Sequence, residues 1–585
     1  MLHLYVAHYA TKLANIVQQV PLPFLTITII CNAIAFFIEL YLDYRQSRLL
    51  KTSTNIPSKL KDYIDKDEYD DMRNYSITRL GFSRLENAYG FITEVFILLS
   101  GVLNWMFDLA LKTNMLLFGL GEEYVITRGV TFLFLVSLLS TFVRAPFEVY
   151  RIFVLDGKFF EIKQERRDLQ KSIENDPSSE FLKKVTLEKN SRKLVMQINN
   201  ANMFFGDENH QNGSYYNEYS TDEEEITLLP EHESPKLNSR STDSKDEAVV
   251  TNKFVASKQT PEVSNEQVNE ENEASLSDNS SDSGVQDIMT VFRNWIMDQI
   301  KMGIMAVVIG IPLLFLILWL LLTGSPIHWV YLWFGGVALS VGIYELYPIV
   351  LAPMFNTFYE MPEGPLRKSI EELTKTVGID VKDIVYVDGS KRSEHANAFM
   401  VGSGKNKKIV LYDNLISKDG LNLTNEEILA ILAHEIHHYK MNHSIKILTS
   451  QVLALGIFLF ILSFTIYNEH FYTSFGFGFI DPSVGLCLFS YLYQPLGNLA
   501  MVILNYIQRS YEYSSDEYSL SLGYDIEKPL IRMHVNNVYN LIVDKFYSRY
   551  YNAHPSLLER MDNIKRFKEK HAIRQRLNEK LTKQE

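Results

Sequence analysis

Residues Met302–Thr323 read MGIMAVVIGIPLLFLILWLLLT and contain no charged side chain. A transmembrane helix needs about 20 consecutive, mainly apolar residues, so this stretch is long enough to cross a bilayer. Six further stretches have similar length and composition, near Pro23–Leu42, Phe91–Leu111, Val125–Phe147, Trp329–Ala352, Thr449–Tyr467 and Val484–Ile507. The sequence therefore predicts an all-α, multi-pass membrane protein with about seven spans. The alternative, buried helices of a large soluble protein, would show more frequent interruption by charges.

Lysine and arginine are concentrated in the loops on one side of the predicted spans. The loop from Tyr44 to Gly90 carries nine of them, whereas the connections at 324–328 and 468–483 carry none. Because basic loops stay on the cytosolic side, we expect a luminal N-terminus and a cytosolic C-terminus. The first span has only Lys12 before it and is expected to be retained rather than removed as a signal peptide.

Charged side chains within the predicted spans indicate a polar chamber between the helices. Glu39, Asp108 and Glu345 lie in or at the edges of apolar stretches. Ionisable groups in a membrane usually face a bundle interior or a water-filled cavity. The alternative, that such residues end a helix and extend to the membrane surface, fits Arg144 and Glu148 better.

The net charge of −13 arises from one polar segment of the chain. Residues 211–287 carry 18 acidic and 5 basic side chains, a difference of −13, so the remainder is balanced. This polar segment has too few apolar residues to bury a core and fold. We therefore predict a charged, largely disordered cytosolic insertion at 164–288. A partner-binding or phosphorylated segment is the alternative. The acidic pI therefore describes this one segment and argues nothing about the substrate. The predicted partners include membrane lipids and no nucleic acid, and two cysteines are too few for a disulfide framework.

One soluble segment between spans combines short β-rich runs with a helix. Asp383–Asp388, Ala396–Val401 and Lys408–Tyr412 are predicted strands. Thr424 and Glu427 have the spacing of a capping box, which predicts a helix that starts at about Asn425.

The predicted helix carries the motif HEIHH, which begins at His434. Histidines at i and i+4, here His434 and His438, share one helix face and can bind one metal ion. Glu435 can act on a water molecule at that metal. Imidazole and carboxylate ligands with one open position favour zinc. His437 and His443 are predicted to be polar neighbours rather than ligands, and a chance match on a surface helix is the alternative to a metal site.

A carboxylate pair after the last span completes the predicted site. Glu512 and Asp516 are four residues apart and share a helix face. This spacing would let Glu512 bind the metal while Asp516 orients a ligating histidine. Such a pair alone is usually a solvated helix face, but together with HEIHH it is the favoured completion.

Several motifs resemble the type I CaaX prenyl proteases, a family of integral-membrane zinc metallopeptidases. They are HEIHHYKMNH at 434–443, YEYSSD at 511–516 and HPSLLER at 554–560. FFIELYLDYRQSRLLK, PFEVYRIFVLDGKF and RSEHANAFMVG also resemble segments of that family. The chain departs from the family pattern at His437, where glycine is usual, and at Ser515, where alanine is usual. The resemblance implies about seven helices around a water-filled chamber and a small cytosolic α+β zinc metalloprotease domain.

The resemblance also implies roles for individual residues. One Zn²⁺ ion would be held by three ligands: His434, His438 and Glu512. Glu435 would be the catalytic base. His554 and Arg560 match positions that stabilise the oxyanion, and Asn397 lies in the motif that pairs with the substrate as an added strand.

The implied function is removal of the C-terminal aaX tripeptide from prenylated CaaX proteins, with a second, upstream cleavage in some members. The implied location is the endoplasmic reticulum membrane and the inner nuclear membrane, with the zinc site on the cytosolic side. Two alternatives stay open. One is a membrane quality-control metalloprotease of the same clan, and the other is a seven-span receptor or scaffold with an inactive site.

These features predict six parts of the chain. They are an N-terminal membrane region with three spans and a cytosolic loop at 1–163, the insertion at 164–288, the fourth and fifth spans at 289–352, a cytosolic metalloprotease segment at 353–448, the sixth and seventh spans at 449–508, and a C-terminal cytosolic segment at 509–585.

Overall fold

The computed structural model describes residues 22–157, 288–325, 327–355, 357–388, 397–402, 406–417, 420–537 and 541–582. Apart from Ile288, the predicted insertion at 164–288 lies outside the described residues. The described part is mainly helical and contains one four-stranded sheet.

The helices of the N-terminal membrane region and the next two spans are α1 Phe24–Thr52, α2 Lys66–Leu99, α3 Val102–Phe118, α4 Val125–Tyr150, α5 Ile288–Met305, α6 Ile311–Leu322 and α7 His328–Leu346. They are followed by α8 Ala352–Phe355, β1 Phe358–Glu360, α9 Pro365–Val377, β2 Asp383–Val387, β3 Ala398–Val401, β4 Lys408–Tyr412, α10 Asp413–Ile416 and α11 Asn425–Lys440. The remaining helices are α12 His443–Thr465, α13 Glu469–Ser474, α14 Pro482–Ser521, α15 Glu527–Asn536, α16 Lys545–Tyr551 and α17 Leu557–Thr582.

The predicted number of membrane spans is confirmed within the described residues. Six helical segments are long and apolar enough to cross a bilayer, and α2 together with α3 makes a seventh. Only 0–17% of each apolar window in the six is buried inside the protein. Most of their surface is therefore available to lipid or to internal water.

The second predicted span was wrong in shape. Phe91–Leu111 does not form one straight helix, because α2 and α3 meet at an angle of 70°. Gly101 between them has φ +73°, a left-handed conformation that glycine adopts without the steric cost of a side chain. The backbone therefore turns at Gly101, inside a stretch whose composition alone looks continuous.

Glu39 has polar partners inside the bundle, as predicted for a charged residue within a span. Its Oε1 accepts hydrogen bonds from Asn498 Nδ2 and Tyr550 Oη, each at 3.1 Å. Glu345 lines a cavity, but its side chain is exposed, and so is that of Asp108.

The sheet has the strand order β1-β2-β4-β3. Strands β2 and β4 are parallel, and β1 and β3 are antiparallel edge strands. The three predicted strands are confirmed as β2, β3 and β4, while β1 was not predicted.

Helix α11 lies in a hydrophobic core that joins distant parts of the chain. Ile428 and Ala433 of the helix, Leu411 of β4 and Ile564 of α17 are each almost fully buried there. Leu60, from the basic loop near the N-terminus, is also part of this core. Packing from several sides therefore fixes the helix that carries HEIHH.

Helix α14 connects the membrane region with the metal-binding residues. Asp481 caps its N-terminus by accepting a hydrogen bond from Ser483 N at 2.9 Å. Its 40 residues span roughly 60 Å, about twice the hydrocarbon thickness of a bilayer. The helix therefore continues past the predicted end of the span, Ile507, and this extension carries Glu512 and Asp516.

Candidate metal centre

The helix with HEIHH begins at the predicted residue because its first turn is capped on both sides. Thr424 Oγ1 accepts from Glu427 N at 3.3 Å, and Glu427 Oε2 accepts from Thr424 N at 2.9 Å. This reciprocal pair satisfies two backbone donors that a helix start leaves open. The capping box and the start at Asn425 are both confirmed.

Two serines hold α14 against α11. Ser519 Oγ donates a hydrogen bond to Ala430 O at 2.9 Å. Ser515 Oγ lies 3.0 Å from His437 Nδ1. Both serines are fully buried, so the two helices meet closely enough for side chains of each to share one site.

The structure brings together the three predicted metal ligands, His434, His438 and Glu512. The two Nε2 atoms of the histidines are 3.1 Å apart. The Glu512 carboxylate oxygens lie 3.5 Å from His434 Nε2 and 3.4 Å from His438 Nε2. A tetrahedral zinc with bonds of about 2.0–2.1 Å places its ligand atoms roughly 3.3 Å apart. The spacing of the three side chains is therefore close to what a zinc ion requires.

Asp516 lies behind the first histidine, as its position on the helix predicts. Its Oδ1 is 3.0 Å from His434 Nδ1, the ring nitrogen that points away from the group of ligands. Asp516 is fully buried. A carboxylate there fixes the orientation of the imidazole and makes its other nitrogen a better ligand.

Arg560 of α17 neutralises part of the negative charge in this cluster. Its guanidinium donates to Asp516 Oδ1 at 2.5 Å and to Asp516 Oδ2 at 2.9 Å. A further guanidinium nitrogen lies 3.3 Å from Glu512 Oε2. Burial lowers the pKa of Arg560, but Asp516 and Glu512 outweigh burial and raise it, so the side chain is charged.

His554 contacts the Glu512 carboxylate at the oxygen that Arg560 does not face. Its Nδ1 lies 3.0 Å from Glu512 Oε1, the oxygen that also faces His438. In contrast to the other members, the His554 side chain is 71% exposed. It is therefore accessible to a molecule in the adjoining cavity.

Burial and ion pairing act in opposite directions on the protonation of the site. Burial lowers the pKa of His434, but hydrogen bonds with Asp516 and Glu512 outweigh it and raise the pKa to about 9. Burial also raises the pKa of Glu435, while His434 and His438 lower it. The carboxylates thus make this a strongly cation-attracting site.

A cavity of about 1340 Å³ adjoins the site. Glu435, His554 and Arg560 line it, as do all residues of β3 together with Asn397. The backbone oxygen of Asn397 accepts from Tyr412 N at 2.9 Å, which continues the pairing with β4. The outer edge of β3 therefore borders the space in front of the predicted ligands, where an extended peptide could add as a strand.

The sequence predicted His443 to be a polar neighbour of the ligands but indicated no specific contact for it, and it indicated no role for Tyr511. His443 Nδ1 lies 3.1 Å from His438 Nδ1, and its ring stacks on Tyr511 with centroids 4.0 Å apart. The available signals were the short HEIHHYKMNH spacing and the position of Tyr511 next to Glu512. Neither signal indicates that the two rings meet.

Two family models together match most of the described chain. Residues 360–568 match the model described as peptidase family M48. Residues 46–167 and 289–357 match the model described as the CAAX prenyl protease N-terminal region with five membrane helices.

Known proteins show the same similarity over different lengths. The CAAX prenyl protease 1 homolog of Arabidopsis thaliana is 36% identical over 275 residues, which cover 46% of this chain and 63% of that protein. The chain thus spans just under two thirds of this relative. The mouse homolog is 23% identical over 569 residues, which cover 91% of this chain and 93% of the relative.

A solved structure has the same fold. The crystal structure of S. mikatae Ste24p matches with a TM-score of 0.64 and 23% identity, over 93% of this chain and 99% of that one. The family models cover both the membrane helices and the segment with the His434, His438 and Glu512 group. The chain is therefore a multi-pass membrane protein with a metallopeptidase segment of family M48, and it is similar to the CAAX prenyl proteases in both its membrane helices and that segment.

Proposed function

We propose that the chain is a membrane zinc endopeptidase that removes the C-terminal aaX tripeptide from prenylated CaaX proteins. The observation that carries this proposal is the meeting of His434, His438 and Glu512 beside Glu435 at the wall of a large cavity. The substrate class comes from the relatives named CAAX prenyl protease.

Zinc is the proposed metal because of the donor set. Two imidazoles and one carboxylate with an open fourth position are typical of catalytic zinc sites. When bound, zinc would supply a water molecule whose pKa is lowered to roughly 7 and would polarise the scissile carbonyl.

Glu435 is the proposed proton carrier. It adjoins His434 in sequence and lines the cavity, so it can take a proton from the attacking water and deliver it to the leaving amine. Burial raises the pKa of Glu435, and a carboxylate with a raised pKa is a stronger proton acceptor.

His554 and Arg560 are proposed to stabilise the oxyanion that forms on the scissile carbonyl. Both line the cavity, but they are held differently. Arg560 is anchored by Asp516, whereas His554 is exposed and contacts Glu512. The peptide would lie along β3, with its backbone paired to the edge of that strand near Asn397.

The division of the chain into six parts, with the zinc site on the cytosolic side of the membrane, is also part of the proposal. The basic loop from Tyr44 to Gly90 contributes Leu60 to the core around α11, and a basic loop of this kind favours a cytosolic zinc site. The N-terminus would then be luminal. By family, the membrane would be that of the endoplasmic reticulum and the inner nuclear envelope.

A pair of peptides tests the proposed substrate class. Full-length protein purified in detergent is given a farnesylated CaaX peptide and the same peptide without the lipid, and the products are identified by mass. Cleavage of the farnesylated peptide after the modified cysteine, with much slower cleavage of the other, is expected. Equal cleavage of both, together with degradation of an unfolded protein, would favour the quality-control alternative. A longer prenylated precursor, assayed in the same way, tests the proposed second cut.

A further inference from the structure

We infer that His443 is a positioning residue, which orients the zinc ligand His438 by accepting a hydrogen bond from its outer ring nitrogen. The inference rests on the proposed zinc site. It concerns the second ligating histidine, for which the sequence offered no partner corresponding to Asp516.

A very short turn makes this contact possible. Helix α11 ends at Lys440 and α12 begins at His443, so only two residues connect them. One of these, Asn442, has φ +53°, a left-handed conformation in which asparagine is among the better-tolerated residues. The turn therefore places the first side chain of α12, His443, against the last turn of α11.

The two ring nitrogens of His438 have different surroundings. Its Nε2 faces His434 Nε2 at 3.1 Å and Glu512 at 3.4 Å, which is the metal-binding side. Its Nδ1 faces His443 Nδ1 at 3.1 Å. When Nε2 binds a metal, the neutral imidazole carries its proton on Nδ1 and must donate it. His443 Nδ1 must then be the acceptor, with its own proton on Nε2.

The acceptor ring is itself held firmly. His443 is 3% exposed, and its ring lies parallel to that of Tyr511, with centroids 4.0 Å apart and an angle of 6°. Tyr511 precedes Glu512, so the same helix turn supplies a ligand and the surface on which His443 stacks. Partners of this kind fix the tautomer and ring orientation of a ligating histidine.

Two substitutions separate hydrogen bonding from packing. His443→Phe keeps an aromatic ring against Tyr511 but has no acceptor. His443→Asn loses the ring but keeps an acceptor, because the asparagine Oδ1 is three covalent bonds from Cα, as the histidine Nδ1 is. A positioning role predicts that asparagine is the better replacement, and a purely packing role predicts that phenylalanine is.

A matched control lies next to His438 in sequence. His437 is also in ring contact with His443, at 5.4 Å between centroids, but its Nδ1 faces Ser515 Oγ instead of a ligand. His437→Asn makes the same change as His443→Asn in the same cluster of rings and keeps a polar atom for Ser515, but it removes no acceptor from His438.

The test is zinc affinity of the full-length protein in detergent, measured by competition with a chromogenic chelator. We expect His443→Phe to lower the affinity roughly 10–100-fold, and His443→Asn and His437→Asn to stay within a few-fold of the parent. Equal affinity of His443→Phe and the parent would overturn the inference, as would a greater loss in His443→Asn than in His443→Phe. If the phenylalanine variant does not fold, the asparagine variant decides, since a loss of tenfold or more there also overturns it. Absence of zinc binding by the parent protein would instead refute the proposed function.

Discussion

Asp516→Asn tests how the first ligating histidine is held, because the change alters one atom of a fully buried side chain. In the parent, Oδ1 faces His434 Nδ1 at 3.0 Å and accepts from Arg560 at 2.5 Å. Oδ2 accepts from Arg560 Nε at 2.9 Å. An amide has one oxygen, so an NH₂ group must face one of these donors if it replaces Oδ2, and two of them if it replaces Oδ1.

The orientation of the new amide sets the size of the effect. If the asparagine oxygen points toward His434, the contact with that ligand is kept. The asparagine NH₂ group then faces Arg560 Nε, so two donors meet and neither has an acceptor. A buried donor left without an acceptor costs about 1–3 kcal/mol. The loss of the negative charge also weakens the orienting contact, for which losses of roughly 10–100-fold in metal affinity are typical, or about 1.4–2.7 kcal/mol.

Chelator competition on the purified variant measures this loss directly. The matched control is Asp525→Asn, the same chemical change in a side chain that is 60% exposed and paired with Lys568. The control should bind zinc as the parent does. If Asp516→Asn also binds zinc with unchanged affinity, the assignment of Asp516 as the residue that orients His434 is wrong.

Three further changes probe other parts of the site. Glu512→Ala should lower zinc occupancy after dialysis because two histidines remain as ligands, whereas full occupancy would show that the third ligand lies elsewhere, with His554 the next to examine. Thr424→Ala removes one half of the capping box and should destabilise the folded state by about 1 kcal/mol, which thermal unfolding would detect, without changing the number of zinc ions bound. Deleting Ser214–Gln286 should leave turnover within a few-fold of the parent because its composition provides no apolar core. A loss as large as that of a ligand variant would contradict the last expectation.

Local signals in the sequence were sufficient for the elements of the site. The capping box of Thr424 and Glu427 gave the start of α11, and the i, i+4 spacing gave the shared face of His434 and His438. Each of these features depends on residues within one or two helix turns. The predicted strands are likewise short runs whose pattern is complete within about five residues.

The pairing of Glu512 with HEIHH needed more than local pattern. The two motifs are separated by the spans of α12 and α14, and they were connected by the known chemistry of zinc sites together with the resemblance to a metallopeptidase family. The same reasoning predicted that Asp516 orients a ligating histidine, without saying which one, and gave no indication of its two bonds to Arg560.

Features that depend on backbone conformation or on long-range packing were missed. The bend at Gly101 lies within an apolar run, and hydropathy does not detect a left-handed residue. The contact of His443 with His438 depends on the conformation of Asn442. Strand β1, with three residues, forms because β2 offers an edge to pair with, which no pattern of its own reveals.

The most direct test of the account is a comparison of Glu435→Gln with the parent protein on a farnesylated CaaX peptide. Glutamine keeps the shape of the side chain but cannot accept the proton, while His434, His438 and Glu512 are untouched. The account predicts that the variant retains one zinc ion per chain and loses nearly all release of the aaX tripeptide. Tripeptide release at the parent rate by the zinc-loaded variant would contradict it.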